Sequence, residues 1–178
     1  MQMTKLLFYG HSVLAKFPFA QIGDIKIDNR AVSGSIAEEG YDKLIKNNDL
    51  SEDYDTILLM YGINELWQGL GIENPTYWIE KNVEFFSQHY PKSQLILSLV
   101  MRNLSEDPSV SNVLIDRLND KLRQFDNKYS LTYWDWQGFY DANNYCRPEL
   151  TIEGVHLTQA GYQLLAEGIE KTIRRGVK

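Results

Sequence analysis

Two stretches constrain the fold more than any others in this chain. YDTILLMYG (54–62) and SQLILSLVM (93–101) are apolar at consecutive positions, not at alternate ones. A strand with one face in water alternates, so these two call for cover on both faces. Three further runs have strand length. KLLFYG (5–10) ends in glycine, DIKIDNRAV (24–32) alternates at first and closes on small residues, and LTYWDW (131–136) is rich in β-branched and aromatic side chains. Between them the apolar period becomes helical. SIAEEGYDKLIKN (35–47) follows Gly34. A second helix opens on Asn74 as N-cap with Pro75 at the first helical position, carries Ile79, Val83 and Phe86 on one stripe, and stops before Pro91. The segment 111–128 lines up Val113, Leu118, Leu122 and Phe125, and 158–174 opens on Thr158 and carries Tyr162, Leu165, Ile169 and Ile173. These stripes are core surfaces. The alternation predicts an α/β protein with a five-stranded parallel sheet and helices on both faces.

No repeat, low-complexity tract or linker divides the chain, so its 178 residues are expected to form a single domain over 1–178. A net charge of −6 argues against a nucleic-acid partner, because phosphate binding needs clustered Lys and Arg. The basic run KTIRRGVK suits the negative end of a helix. Cys146 is the only cysteine, which rules out an intrachain disulfide, fits a reducing compartment and points to a structural role. The apolar run near the N-terminus is about four residues long, too short for a signal sequence. No segment approaches the ~18 apolar residues of a membrane span. The expected location is the cytoplasm.

In an open parallel sheet the ligand site lies outside the carboxyl ends of the strands. Here those ends read Gly10-His11-Ser12, Ser33-Gly34-Ser35, Gly62-Ile63-Asn64-Glu65 and, after a long loop, Glu153-Gly154-Val155-His156. Acyl transfer needs a nucleophilic hydroxyl, a base of near-neutral pKa and donors for an oxyanion. A serine, a histidine, a glycine amide and an asparagine amide supply all three.

In that order these residues resemble the SGNH (GDSL-type) hydrolases. GHS at 10–12 matches the first family block, usually GDS, and NRAVSG at 29–34 looks like the second, with Gly34 its glycine. GINE at 62–65 resembles the third, usually GxND, and EGVHLTQAGY at 153–162 resembles the final DGxHLxxxGY. The resemblance implies a three-layer α/β/α sandwich of flavodoxin-like type that hydrolyses esters through an acyl-enzyme. By position, Ser12 would be the nucleophile, His156 the general base and Glu153 the carboxylate orienting it. The oxyanion donors would be the backbone N–H groups of Ser12 and Gly34 and the Asn64 side chain. No metal or organic cofactor is implied, and the partner is a small-molecule ester.

Three positions depart from the family pattern. His11 replaces the usual Asp, either as an imidazole lining the pocket or as a replacement turned away toward a neighbouring loop. Successive side chains leaving a strand face opposite ways, which disfavours His11 as the direct base. Glu153 replaces Asp and reaches roughly 1.5 Å further, so it completes a triad only if the backbone retreats; otherwise Ser12 and His156 form a dyad. Glu65 follows Asn64, where it either repels anions or caps the loop. Among the aromatics Trp134, Trp136, Phe139, Tyr140, Tyr145, Tyr61 and Trp67, some must be core, and Trp67 is the candidate pocket wall. No long apolar lid segment is present, so a short acyl group such as acetyl on a carbohydrate is expected.

The alternative is a weakly active or non-catalytic ligand-binding member of the same fold. A flavin or nucleotide site lacks both G-x-G-x-x-G and P-loop patterns after the first strand. A metal held by Glu153, His156 and His11 would rest on one E-x-x-H interrupted by Gly154. The short stretch from Ser12 to Asp24 leaves room for little helix, so one sheet face is either thinly covered or covered by a partner.

Overall fold

The structure is a computed structural model and describes residues 3–51, 53–103 and 110–176. Its strands are β1 (Thr4–Gly10), β2 (Gln21–Ile22), β3 (Ile25–Asn29), β4 (Thr56–Met60), β5 (Gln94–Ser98) and β6 (Thr132–Trp134). Its helices are α1 (Ser12–Ala15), α2 (Ala37–Lys46), α3 (Ile63–Trp67), α4 (Glu73–His89), α5 (Asn112–Arg123) and α6 (Gln159–Gly176). Single 3₁₀ turns follow α5 at Gln124–Asn127 and precede α6 at Pro148–Leu150.

The sheet order is β2-β3-β1-β4-β5-β6, parallel throughout except for the antiparallel β2/β3 pair. Setting β2 aside, the strands in chain order lie 2-1-3-4-5, the flavodoxin-like arrangement. Its direction of winding reverses between β1 and β4, which opens a crevice at their carboxyl ends. Ser12 follows one of these strands and Asn64 follows the other. Among the described residues six strands stand where the sequence predicts five. The extra one, β2, has two residues and pairs only with β3, too short to register as an apolar run.

The unbroken apolar runs do cover two faces. Leu7, Ile57, Leu59, Leu95 and Leu97 pack with Ala37 and Leu44 of α2, Ile79, Val83 and Phe86 of α4, and Ile115, Leu118 and Leu122 of α5. Their alternate neighbours Leu6, Phe8, Leu58, Met60 and Ile96 pack with Val13 and Leu14 of α1 and with Tyr162, Leu165, Ile169 and Ile173 of α6. Helix α6 therefore covers the face that the short first crossover leaves open. Cutting Leu58, fully buried between the layers, to Ala would cost about 2–5 kcal/mol.

Two helix details differ from the sequence expectation. Helix α4 begins at Glu73, with Ile72 in the N-cap position, so Asn74 and Pro75 both lie inside its first turn. The N–H that proline lacks is unpaired anywhere in a first turn, so proline does not fix which residue starts it. Val113 is 64% exposed, and Ile115 takes its place on the buried stripe. Five residues separate Val113 from Leu118, a rotation about 140° away from that stripe. Among the described residues no helix is long and apolar enough to cross a membrane.

Candidate active site

Strand β1 keeps its pairing to its last residue, and the His11 N–H continues it by donating to Met60 O at 3.2 Å. The chain then turns into α1. His11 is the N-cap, with an extended backbone and a ring Nδ1 that accepts the Val13 N–H at 3.3 Å. An imidazole thus performs the capping usually done by Asp or Ser. Ser12 is the first helical residue, so its own N–H has no acceptor within the helix.

The segment facing Ser12 is a closed loop. Thr151 and Leu157 form an antiparallel bridge, Ile152 N–H donates to His156 O at 2.8 Å, and Thr158 N–H donates to Leu150 O at 3.0 Å. Gly154 turns the loop with a positive φ of 86°. Glu153 and His156 emerge together, with Glu153 Oε1 against His156 Nδ1 and 3.3 Å from the His156 N–H. A carboxylate accepts only, so in the neutral ring the proton sits on Nδ1 and Nε2 is left as the acceptor. That Nε2 lies 3.1 Å from Ser12 Oγ, across 144 positions of sequence.

The loop runs straight into α6. Thr158 caps it by accepting the Gly161 N–H at 3.1 Å. A side chain at position 161 would stand 2.2 Å from Leu150 O, so only glycine lets α6 approach this closely. One residue on, Tyr162 OH donates to Val13 O at 2.8 Å and ties α6 to the serine helix.

The remaining edge is built by the second and third strand ends. Ser35 N–H donates to Val32 O at 3.1 Å, and Gly34 in this turn has a φ of 78°. A Cβ there would meet nothing, so the glycine serves backbone conformation and not space. Asn64, in α3, donates from Nδ2 to Ser35 O at 2.9 Å, joining the two loops. Buried Glu65 joins them again: Oε1 accepts the Ala37 N–H at 2.7 Å and Oε2 the Gly62 N–H at 3.0 Å. Burial raises its carboxyl pKa while the N–H groups of Ala37 and Gly62 pull the other way. Of the alternatives for Glu65, the loop cap is the one observed.

A cavity of about 20 Å³ has walls that include His11, Val13, Met60, Met101, Trp136 and Val155, so the sequence neighbours of Ser12 and His156 line it. Burial first, and then the nearby His156, push the His11 pKa down to about 4, so this ring is neutral near pH 7. His11 therefore both caps its own turn and lines a pocket; it is not turned away toward another loop. Trp67 does not line this cavity and stands 49% exposed at the end of α3. Trp134, Trp136 and Phe139 form a buried aromatic cluster, with Trp136 Nε1 donating to Leu99 O at 2.7 Å. Most of the aromatic-rich loop is thus core. Cys146 is buried too, its thiol pKa raised to about 11 by desolvation. The sequence misses Tyr162 as an anchor because its helical spacing already explains it as core. It misses Met101 and Val155 because distant segments bring them together.

A flavodoxin-like sheet carrying Ser12, His156, Gly34 and Asn64 along one edge is the architecture of an acylhydrolase. The chain belongs to the GDSL-like lipase/acylhydrolase family, whose model matches residues 10–164. A Streptococcus pneumonia protein, provisionally assigned as a platelet activating factor, superposes with a TM-score of 0.86 at 20% identity over 96% of this chain and 84% of its own. A variant of an acetyl-xylooligosaccharide esterase from Geobacillus Stearmophilus gives 0.72 at 16% identity over 100% and 98%. A curated relative, the N-acylneuraminate cytidylyltransferase of Escherichia coli O18:K1:H7 (strain RS218 / NMEC), is 21% identical over 97% of this chain. The chain spans only 41% of that relative's length.

Proposed function

We propose that the protein is a serine esterase that cleaves a short-acyl carboxylic ester through an acyl-enzyme. The observation that carries this reading is the Ser12 Oγ to His156 Nε2 distance of 3.1 Å, with Glu153 against the far side of the ring. Ser12 Oγ attacks the ester carbon as His156 Nε2 takes its proton. Glu153 holds the tautomer that leaves Nε2 basic and stabilises the imidazolium that forms. The oxyanion is met by the N–H groups of Ser12 and Gly34 and by Asn64 Nδ2, whose second hydrogen is not used by Ser35. His156 then protonates the departing alcohol. Water repeats the sequence on the acyl-enzyme, and no cofactor enters any step. A buried, neutral His11 places no second positive charge beside the base. One cysteine and no disulfide suit a reducing cytoplasm.

The test is hydrolysis of p-nitrophenyl acetate, with a burst abolished by a serine-directed phosphonate that labels Ser12. Ser12→Ala and His156→Ala should each lower turnover by about 10³-fold or more. Unlabelled Ser12 and no burst would favour a ligand-binding role instead. Acetylated xylo-oligosaccharides are the natural-ester probe, chosen from the chemistry named in one structural neighbour.

A further inference from the structure

Asn29 makes two bonds that the nucleophile, base and oxyanion donors leave unexplained. It is the last residue of β3, beside Phe8 of β1, a place where asparagine is an unfavourable choice. Its Nδ2 donates to Leu14 O at 2.7 Å, and its Oδ1 accepts the Ala31 N–H at 3.1 Å. A carbonyl faces one end of the amide and an N–H the other, so each end is assigned by its own partner. One side chain thus joins the four-residue helix of Ser12 to the segment that runs on to Gly34.

Both joined parts lean on bonds from outside themselves. Helix α1 is too short to pair its own last carbonyls. Tyr162 OH takes Val13 O from α6, and Asn29 takes Leu14 O from β3, sharing it with the Phe17 N–H at 3.0 Å. In the Gly34 turn a Cβ would meet nothing within 4 Å, so packing does not hold that side of the chain. Hydrogen bonds hold the turn at its two ends instead. Asn64 Nδ2 holds Ser35 O after it, and before it Val32 N–H reaches Gly10 O at 2.9 Å, one residue past the Ala31 N–H that Asn29 holds.

Resting on the esterase reading above, we infer that Asn29 is a positioning residue that sets the separation of the Ser12 and Gly34 N–H groups. Such donors work about 2.7–3.1 Å from the place where the oxyanion forms. The charge appears only once Ser12 has attacked, so a loosened pair of donors weakens the transition state more than the bound ester. Asn29 acts through Leu14 O and the Ala31 N–H, not on the ester itself. Its exposure separates this from a folding role. Without Asn29, Leu14 O keeps the Phe17 N–H and water serves the Ala31 N–H, so no buried group is left unpaired.

The experiment measures kcat and KM on p-nitrophenyl acetate, with the thermal midpoint, for wild type, Asn29→Asp and Asn29→Ala. An aspartate keeps an oxygen for the Ala31 N–H but, ionised, cannot donate to Leu14 O; alanine does neither. Both variants should lose about tenfold or more in kcat, with KM changed less than about threefold. The acid limb of the kcat–pH profile, which reports the base, should stay in place. The midpoint should remain within about 4 °C of wild type. A kcat within about threefold of wild type in either variant overturns the assignment. So does a shifted acid limb, or a kcat loss that comes with a larger fall in midpoint, which would make Asn29 a folding residue. Ser12→Ala separates the two levels. Hydrolysis that persists without Ser12 removes the esterase reading itself, whereas Ser12-dependent hydrolysis indifferent to Asn29 removes only the positioning role.

Discussion

The Glu65 carboxylate accepts the Ala37 N–H at 2.7 Å, and so fixes the start of α2 to a residue 28 positions further on. Its second oxygen holds the Gly62 N–H at 3.0 Å, at the start of α3. Glu65 thereby sets the distance between the Gly34 turn and Asn64, the two outer oxyanion donors of the proposed site. In Glu65→Gln one of the two N–H groups faces an amide NH₂ instead of an oxygen. A buried donor left without an acceptor costs about 1–3 kcal/mol. The urea midpoint should fall accordingly, and kcat on p-nitrophenyl acetate should drop about tenfold with a smaller change in KM. Lost stability with an unaltered kcat would reduce Glu65 to a purely structural residue.

Much of this site is legible in the sequence because each part sits where a short apolar run ends. Ser12, Gly34, Asn64 and His156 are read in order at four such ends, and the flavodoxin-like order then gathers them at one edge. The misplaced features have local causes. Pro75 fits any position of a first helical turn, β2 is two residues long, and Trp67 adjoins Asn64 in sequence yet is half exposed and lies outside the cavity. The cavity is of another kind. Its walls come from the ends of β1, β4 and β5 and from the loops holding Trp136 and Val155, and no single segment records that they meet.

His11 makes stability depend on pH in a definite direction. Its folded-state pKa is depressed from 6.5 to about 4, by burial first and by His156 second. Above pH 6.5 both folded and unfolded chains hold it neutral, and its contribution is fully present. As the pH falls toward 4 the unfolded chain takes up a proton that the folded one refuses, removing roughly 3 kcal/mol. His11→Asn keeps a good N-cap and does not titrate. Urea unfolding at pH 7, 5.5 and 4 should therefore show a shallower acid loss in this variant. Parallel slopes for the two proteins would mean that His11 is protonated in the folded state.

Glu153 decides between a triad and a dyad. It contacts His156 Nδ1 and also accepts the His156 N–H, although its side chain is 46% exposed. Glutamate's extra reach is accommodated because the closed loop from Thr151 to Leu157 carries both residues. Losing the carboxylate frees the ring to adopt the wrong tautomer, which in serine triads costs on the order of 10⁴ in turnover. Solvent can partly replace an exposed carboxylate, so Glu153→Ala should lose about 10²- to 10³-fold in kcat, less than that full amount. A loss under tenfold would make the machinery a Ser12–His156 dyad.

Tyr162 links the base-bearing segment to the nucleophile. Its hydroxyl donates to Val13 O at 2.8 Å, across 149 positions, and α1 is only four residues long. So short a helix has little cooperativity of its own and depends on contacts of this kind to stay formed. Tyr162→Phe keeps the ring's packing against Phe17 and removes only the hydroxyl. The buried Val13 carbonyl then loses its partner, at a cost of about 1 kcal/mol. Because the Ser12 Oγ to His156 Nε2 contact relies on α1 and α6 holding a fixed separation, kcat on p-nitrophenyl acetate should fall several-fold with a smaller change in KM. An unchanged kcat would show that packing alone holds the two helices in place.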